Sequence, residues 1–168
     1  MMPAPTYRLR TATVHDRPFL LDVYGSTRAA ELAQVDWSDA EKARFVSMQF
    51  DAQATHYRET YPDGHYEVIE SPAGEPIGRL YLHRGNHDLR IIDIALLPAW
   101  CGRGLGSRIV RDILDEAVAT GRTVSIHVEI FNPANRLYDR LGFEPVETRG
   151  LYRLMQWAPQ QHREICHG

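Results

Sequence analysis

Ile91-Ile92-Asp93-Ile94-Ala95-Leu96-Leu97-Pro98 and, after two intervening residues, Cys101-Gly102-Arg103-Gly104-Leu105-Gly106-Ser107 decide how this chain is read. The first run is short, β-branched and closed by a proline, which predicts a mostly buried strand. The second is a glycine-rich turn. Beyond it Leu105, Ile109, Val110, Ile113, Leu114 and Ala117 recur on one helical face. Arg108, Arg111, Asp115 and Glu116 fall elsewhere on that helix, and Gly121 suits the position just past its end.

A glycine-rich turn opening a helix has a physical use. Gly102, Gly104 and Gly106 lack Cβ atoms, so the backbone can curl and approach a ligand. The first helical N–H groups have no partner inside the helix and favour an anion, above all a phosphate. The plainer reading is a strand-to-helix loop that merely needs glycine. A nucleotide P-loop requires a Lys that is absent here. The dinucleotide fingerprint fails because the sixth position counted from Gly102 is Ser107, and from Gly104 it is Ile109.

Working outward, Val124, Ile126 and Val128 alternate with Ser125, His127 and Glu129, a strand expected parallel to the first through a right-handed crossover. Asn132-Pro133 starts a short helix through Tyr138. Phe143-Glu144-Pro145-Val146 and Leu151 to Trp157 read as a closing hairpin. On the N-terminal side, Thr6 to Thr11 is a first strand, and Asp16 caps a helix with Pro18 in its first turn and Phe19, Leu20, Val23 and Tyr24 inward. Ser38-Asp39-Ala40-Glu41 is a capping box for a helix to about Thr60, with Phe45, Met48 and Phe50 as core contacts. Pro62-Asp63-Gly64 turns into a strand from His65 to Glu70. Ser71-Pro72-Ala73-Gly74 connects it to another from Ile77 to His83, and Gly85 to Asp88 turns into the central strand.

The 168 residues suit one domain, placed at 1–157 with a tail at 158–168. A hydrophobic content of 43% with 24% charged residues is that of a globular protein, and no apolar run predicts a membrane span. Met1-Met2-Pro3-Ala4-Pro5 has no signal-peptide character. A formal charge of −3 without a basic run argues against nucleic-acid binding. Cys101 and Cys166 are too few for a disulfide scaffold, which points to a reducing cytoplasm.

Two segments resemble the GNAT acetyltransferases, which bind acetyl-CoA. The pyrophosphate loop of that family reads Gln/Arg-x-x-Gly-x-Gly/Ala at a helix start. Cys101 to Gly106 matches it except at the first position, where Cys101 stands. The second signature, Ala-x-x-Leu-Tyr-x-x-x-Gly-Phe, is intact from Ala134 to Phe143, with Asn132 ahead of it. The resemblance is clear over 76–147 and elsewhere extends to element order. It implies an α/β (α+β) GNAT fold. That fold has a central mixed, mostly antiparallel sheet of six to seven strands, two of them parallel and splayed, flanked by helices.

The resemblance further implies an N-acetyltransferase that uses acetyl-CoA as co-substrate and no metal. Its acceptor is a primary amine on a small molecule or peptide, attacked directly, with neither nucleic acid nor membrane as partner. Dimerisation through the closing strands is common in such folds, so a homodimer is among the expected states. Carried over by position, Ile94, Ala95 and Leu96 take the pantetheine arm through their backbone. Cys101, Gly102, Arg103, Gly104, Leu105, Gly106 and Ser107 take the pyrophosphate. Tyr138 is the general acid near the sulfur, or alternatively a filler of the helix–sheet interface. Asn132 and Asn135 contact the cofactor or cap the turn. His127 and Glu129 share a strand face as candidate bases, with a water chain as the alternative. Asp93, alone among apolar neighbours, binds substrate or pairs with a cation. Glu67 and His83 are weaker candidates. Gln49, Gln53, His56 and Tyr57 form a polar stripe, of which Gln53 and Tyr57 are the acceptor-side choices, or else a solvated face. The competing function is a non-catalytic acyl-CoA-binding module.

Overall fold

A computed structural model describes residues 6–160 of the chain. The expectations for Met1–Pro5, for Cys166 and for most of the tail lie outside the described residues. Pro159, where a loose tail was expected to begin, is buried.

The strands are β1 (Arg8–Thr11), β2 (His65–Glu70), β3 (Pro76–Arg84), β4 (Asp88–Leu96), β5 (Thr123–Glu129), β6 (Glu144–Arg149) and β7 (Tyr152–Trp157). The helices are α1 (Arg17–Leu32), α2 (Asp39–Thr60), α3 (Leu105–Thr120) and α4 (Asn135–Arg140). The strands form one seven-stranded mixed sheet in the order β1-β2-β3-β4-β5-β7-β6. β4 and β5 are parallel, and their register runs from Asp88↔Thr123 to Ile91↔Ile126. The expected architecture is thus present.

Contacts within the chain cluster into two compact units. The first comprises the described residues of Met1–Tyr81 together with Ile94–Leu105. Its core joins Leu20 and Tyr24 of α1, Phe50 of α2 and Val68 of β2. Asp16 stands at the α1 N-cap but makes no capping bond, against expectation. Its carboxylate instead accepts both terminal nitrogens of Arg10 at 2.8 Å and the Thr13 N–H at 2.8 Å. A buried carboxylate satisfied by a guanidinium fork gains more than one helix N–H offers. Ser38 does cap α2, accepting the Glu41 N–H at 3.1 Å. Met48, expected in the core, is 63% exposed. The inward stripe of α2 is Val46, Phe50, Gln53 and Tyr57, at helical spacing, whereas Glu41, Arg44, Phe45 and Met48 form a second stripe. With Trp37 that second stripe lines a cleft of about 220 Å³.

The second unit comprises Leu82–Asp93 and the described residues of Gly106–Gly168. Ile109, Val110, Ile113, Leu114 and Ala117 of α3 are all buried, as their spacing predicts. Leu89 and Ile91 of β4, Val124, Ile126 and Val128 of β5, and Met155 of β7 are buried with them. At about 2 kcal/mol for each large side chain removed from water, this apolar set outweighs any polar contact in the unit. Arg84 makes a two-pronged ion pair with Glu116 at 2.8 and 2.9 Å, tying α3 to the end of β3. The other face of the parallel pair is polar. Asp88 accepts the Thr123 hydroxyl at 2.6 Å and the Ser125 hydroxyl at 2.5 Å, and Arg90 Nε donates to Ser125 Oγ at 2.7 Å.

Candidate functional site

β4 was expected to be mostly buried. Only Leu89 and Ile91 are, and every residue from Ile92 to Leu97 is half-buried, although all but Asp93 are apolar. The parallel register ends at Ile91, so the backbone beyond it lacks the cover that a paired strand provides. Within the first unit, β3 holds this segment closely. The Leu97 N–H donates to the Ile77 carbonyl at 2.9 Å. A Cβ on Gly78 would collide with the Ala95 carbonyl oxygen and stand 2.9 Å from Leu96 Cδ2. Ile94, Ala95 and Leu96 are thereby fixed as an extended, partly open backbone.

The chain then makes a single 3-10 turn, Pro98–Trp100, and enters the glycine loop. Gly102 and Gly104 have φ of +73° and +81°, a left-handed backbone that disfavours any side chain. Gly106, expected to help the loop curl, lies inside α3 and has no positive φ. Among the described residues the N–H groups of Gly102, Arg103 and Gly104 meet no backbone acceptor. Those of Leu105, Gly106 and Ser107 follow as the orphan donors of the helix start. Successive free N–H groups in such a turn form a concave anion receptor. A phosphate-bearing cofactor fits these donors. The Leu105 side chain is buried, so its contribution to an anion is its backbone. The Cys101 thiol points back into its own strand, with Sγ 3.6 Å from the Leu96 carbonyl and 3.5 Å from that of Leu97.

In the second unit α4 carries Tyr138, which is 3% exposed and lies edge-on to Phe143 at 5.4 Å between ring centroids. Burial, and secondarily the negative charge of Asp93, pushes its phenol well above the ordinary tyrosine range. Its hydroxyl makes no hydrogen bond among the described residues. Most buried tyrosines find one. Asn132 Oδ1 accepts the Ala134 N–H at 2.9 Å. Asn135 Nδ2 lies within 3.0 Å of the carbonyls of Glu129, Ile130 and Asn132, while its Oδ1 is buried without a partner. Both side chains therefore hold the β5-to-α4 turn, and α4 itself begins only at Asn135.

His127 is exposed on the polar face of β5, its Nδ1 3.2 Å from Arg90 Nη1. Partial desolvation of the ring against the sheet and then the charge of Arg90 lower its pKa from 6.5. Glu129 is half-buried, two residues further along the same face. Asp93 and Tyr138 are brought within electrostatic reach of each other. Gln53 and Tyr57 face inward in the first unit. Gln53 accepts from Arg79 Nη2 at 3.1 Å, and the Tyr57 ring stands 6.1 Å from that of Tyr81. Arg79 itself is 2% exposed and stacks over Tyr81 and Tyr24 at 4.9 and 5.7 Å. Sequence reasoning missed Arg79 and Arg90. Each is a charge inside an apolar strand, the signal by which Asp93 was noticed.

Among the described residues no three His, Cys, Asp or Glu side chains are grouped to hold a metal ion, and no helix is long and apolar enough to cross a membrane. Solved structures that share the fold include the following three. PaiA N-acetyltransferase from Thermoplasma acidophilum, in complex with coenzyme A, is 14% identical over 92% of this chain and 100% of its own, with a TM-score of 0.67. An acetyltransferase from Thermus thermophilus is 22% identical over 94% and 99%, with a TM-score of 0.61. Spermidine N-acetyltransferase from Vibrio cholerae, in complex with CoA and spermine, is 16% identical over 94% and 98%, with a TM-score of 0.62. No curated protein sequence matches the chain. The profile of the acetyltransferase (GNAT) family matches residues 28–143, which contain both the glycine loop and the Tyr138 helix, and the chain belongs to that family.

Proposed function

We propose that the chain is an acetyl-CoA-dependent N-acetyltransferase acting on a primary amine, rather than a binding module of the same fold. The observation that carries this choice is Tyr138: a buried phenol, kept protonated, whose hydroxyl is engaged in no hydrogen bond among the described residues. A module that only holds a ligand has no need of such a proton.

When bound, acetyl-CoA supplies an acyl thioester. The N–H groups from Gly102 to Ser107 would hold its phosphates, and the backbone of Ile94, Ala95 and Leu96 would hold its amide-bearing arm. Tyr138 keeps a proton at its hydroxyl oxygen, available to a departing thiolate. The Nδ1 lone pair of His127 is occupied by Arg90, so we assign the proton acceptor to Glu129 or to water reaching it. Gln53, Tyr57 and Asp93 are the acceptor-side residues in this reading. The free, exposed thiol of Cys101 suits a reducing cytoplasm.

The test has two stages. Acetyl-CoA and CoA should raise the melting temperature of the wild type, ATP and NAD should not, and Gly104→Glu should abolish the response. Thiol release should then appear on mixing acetyl-CoA with an amine library that includes polyamines, because the Vibrio cholerae relative was crystallised with spermine. Binding without release from any amine would favour the module.

A further inference from the structure

We propose that the face of α2 bearing Glu41, Arg44, Phe45 and Met48 is a docking surface for a second copy of this chain, related by a two-fold axis. These residues recur at helical spacing on one stripe, and Trp37, just ahead of the helix, completes the patch. Trp37 is 41% exposed and Met48 63%, and the Trp37 and Phe45 rings meet edge-on at 5.3 Å. Tryptophan, methionine and arginine are side chains that interfaces favour. Every residue lining the cleft comes from this one stretch, so no other element of the described chain supplies an opposing wall. At about 220 Å³ the cleft is smaller than the usual small-molecule site of roughly 300–1,000 Å³, and it suits an inserted side chain better than a whole ligand.

The charges name the occupant. Glu41 and Arg44 stand one turn apart on the stripe. A two-fold axis passing between them runs the two α2 helices antiparallel and sets Glu41 of each copy opposite Arg44 of the other. The same register brings Met48 of each copy opposite Trp37 of the other, a thioether against an indole. The patch is thus its own complement, as a closed two-fold contact requires. Within one copy both charges are uncommitted to an ion pair. Arg44 makes no hydrogen bond or ion pair among the described residues, and the Glu41 carboxylate accepts the Ser38 hydroxyl at 3.1 Å but faces no cation there. Both are available to the second copy. This surface is distinct from the closing strands β6 and β7, through which the family resemblance leads one to expect dimers.

The experiment is analytical ultracentrifugation over a concentration series. The proteins are wild type, Glu41→Arg, Arg44→Glu, the chain carrying both substitutions, and Met48→Glu. Wild type should dimerise. Each single charge reversal sets like charges opposite one another and should raise the dimer dissociation constant by roughly tenfold or more. An equimolar mixture of the two single variants should form mixed dimers, and the doubly substituted chain should dimerise again, because reversal on both sides restores every pair. Met48→Glu should weaken the dimer while leaving the melting temperature of the monomer nearly unchanged, since the side chain is exposed. A wild type that stays monomeric up to about 1 mM would overturn the proposal. So would a dimer whose constant moves less than twofold in both single variants, which would place the contact elsewhere, as on β6 and β7. Single variants that dissociate but neither pair in the mixture nor recover in the double variant would overturn it too, because the loss would then come from a weakened α2 and not from the two-fold register.

Discussion

Arg90 donates from Nη1 to Nδ1 of His127 across 3.2 Å, and this contact fixes the tautomer of the imidazole. A guanidinium has no lone pair to offer, so Nδ1 accepts and the ring proton resides on Nε2. Neutral His127 then presents its Nε2–H as a donor. Partial desolvation and Arg90 lower its pKa, Arg149 adds to the effect, and Glu147 opposes it. Replacing Arg90 with Gln should move the His127 pKa upward toward 6.5, read by NMR titration of the ring. The shift also acts on stability. Because the folded-state value lies below the unfolded one, the unfolded chain binds the extra proton first, and stability falls as pH drops below 6.5. His127→Gln should flatten that part of the melting profile; an unchanged slope would remove the argument.

Tyr138→Phe keeps the buried ring and its contact with Phe143 while removing the proton. Melting temperature should change little, and CoA affinity should remain. Turnover should fall by about 10²–10⁴, the usual range for losing a general acid. Because the phenol titrates above its ordinary range, Tyr138 should cause no loss of wild-type activity between pH 7 and about 10. An alkaline limb that begins lower and disappears in Tyr138→Phe would contradict the burial argument.

Gly78→Ala tests the close approach of β3 to β4. The added Cβ meets a backbone carbonyl at Ala95, which cannot rotate away as a side chain could. The expected cost is about 1–3 kcal/mol, read from the midpoint of urea unfolding. Weaker CoA binding should accompany it, since Ala95 and Leu96 must shift.

Acid should loosen the first unit through Asp16. Its hydrogen bonds to Arg10, then that to the Thr13 N–H, lower its pKa from 3.8 to about 2. The stabilisation is complete above pH 4 and is lost as pH falls from there toward 2. Asp16→Asn should lower the melting temperature at pH 7 and narrow the difference from wild type at pH 2, as seen by circular dichroism.

The centre of the chain was legible because local rules decide it. The 3.6-residue period of α3 named its buried face, and the proline after Leu97 marked where β4 stops. Glycine at 102 and 104 was required by a backbone only glycine adopts readily. The second motif named Tyr138, but only the folded arrangement reveals that its hydroxyl makes no hydrogen bond among the described residues. Arg90 was missed because its role depends on register: it faces Ser125 only when Asp88 pairs with Thr123. Met48 was misplaced because two apolar stripes run along α2, and local periodicity alone does not say which one faces the core. Asp16 looked like a cap because sequence proximity favours a helix N–H, while Arg10, six residues upstream, offered a stronger partner in space.

The β6 strand bears on how copies of this chain meet. Every residue of β6 is exposed, it lies at one end of the sheet, and its register with β7 shifts between Pro145 and Glu147. Proline deletes a donor from the outward row, the irregularity breaks its straightness, and Glu144, Glu147 and Arg149 surround it with charge. The outermost edge is thereby a poor template for another strand. Crowded copies of the chain meet a built-in obstacle to fibril-like growth there, although Val146 and neighbouring Leu151 and Tyr152 lie open to solvent.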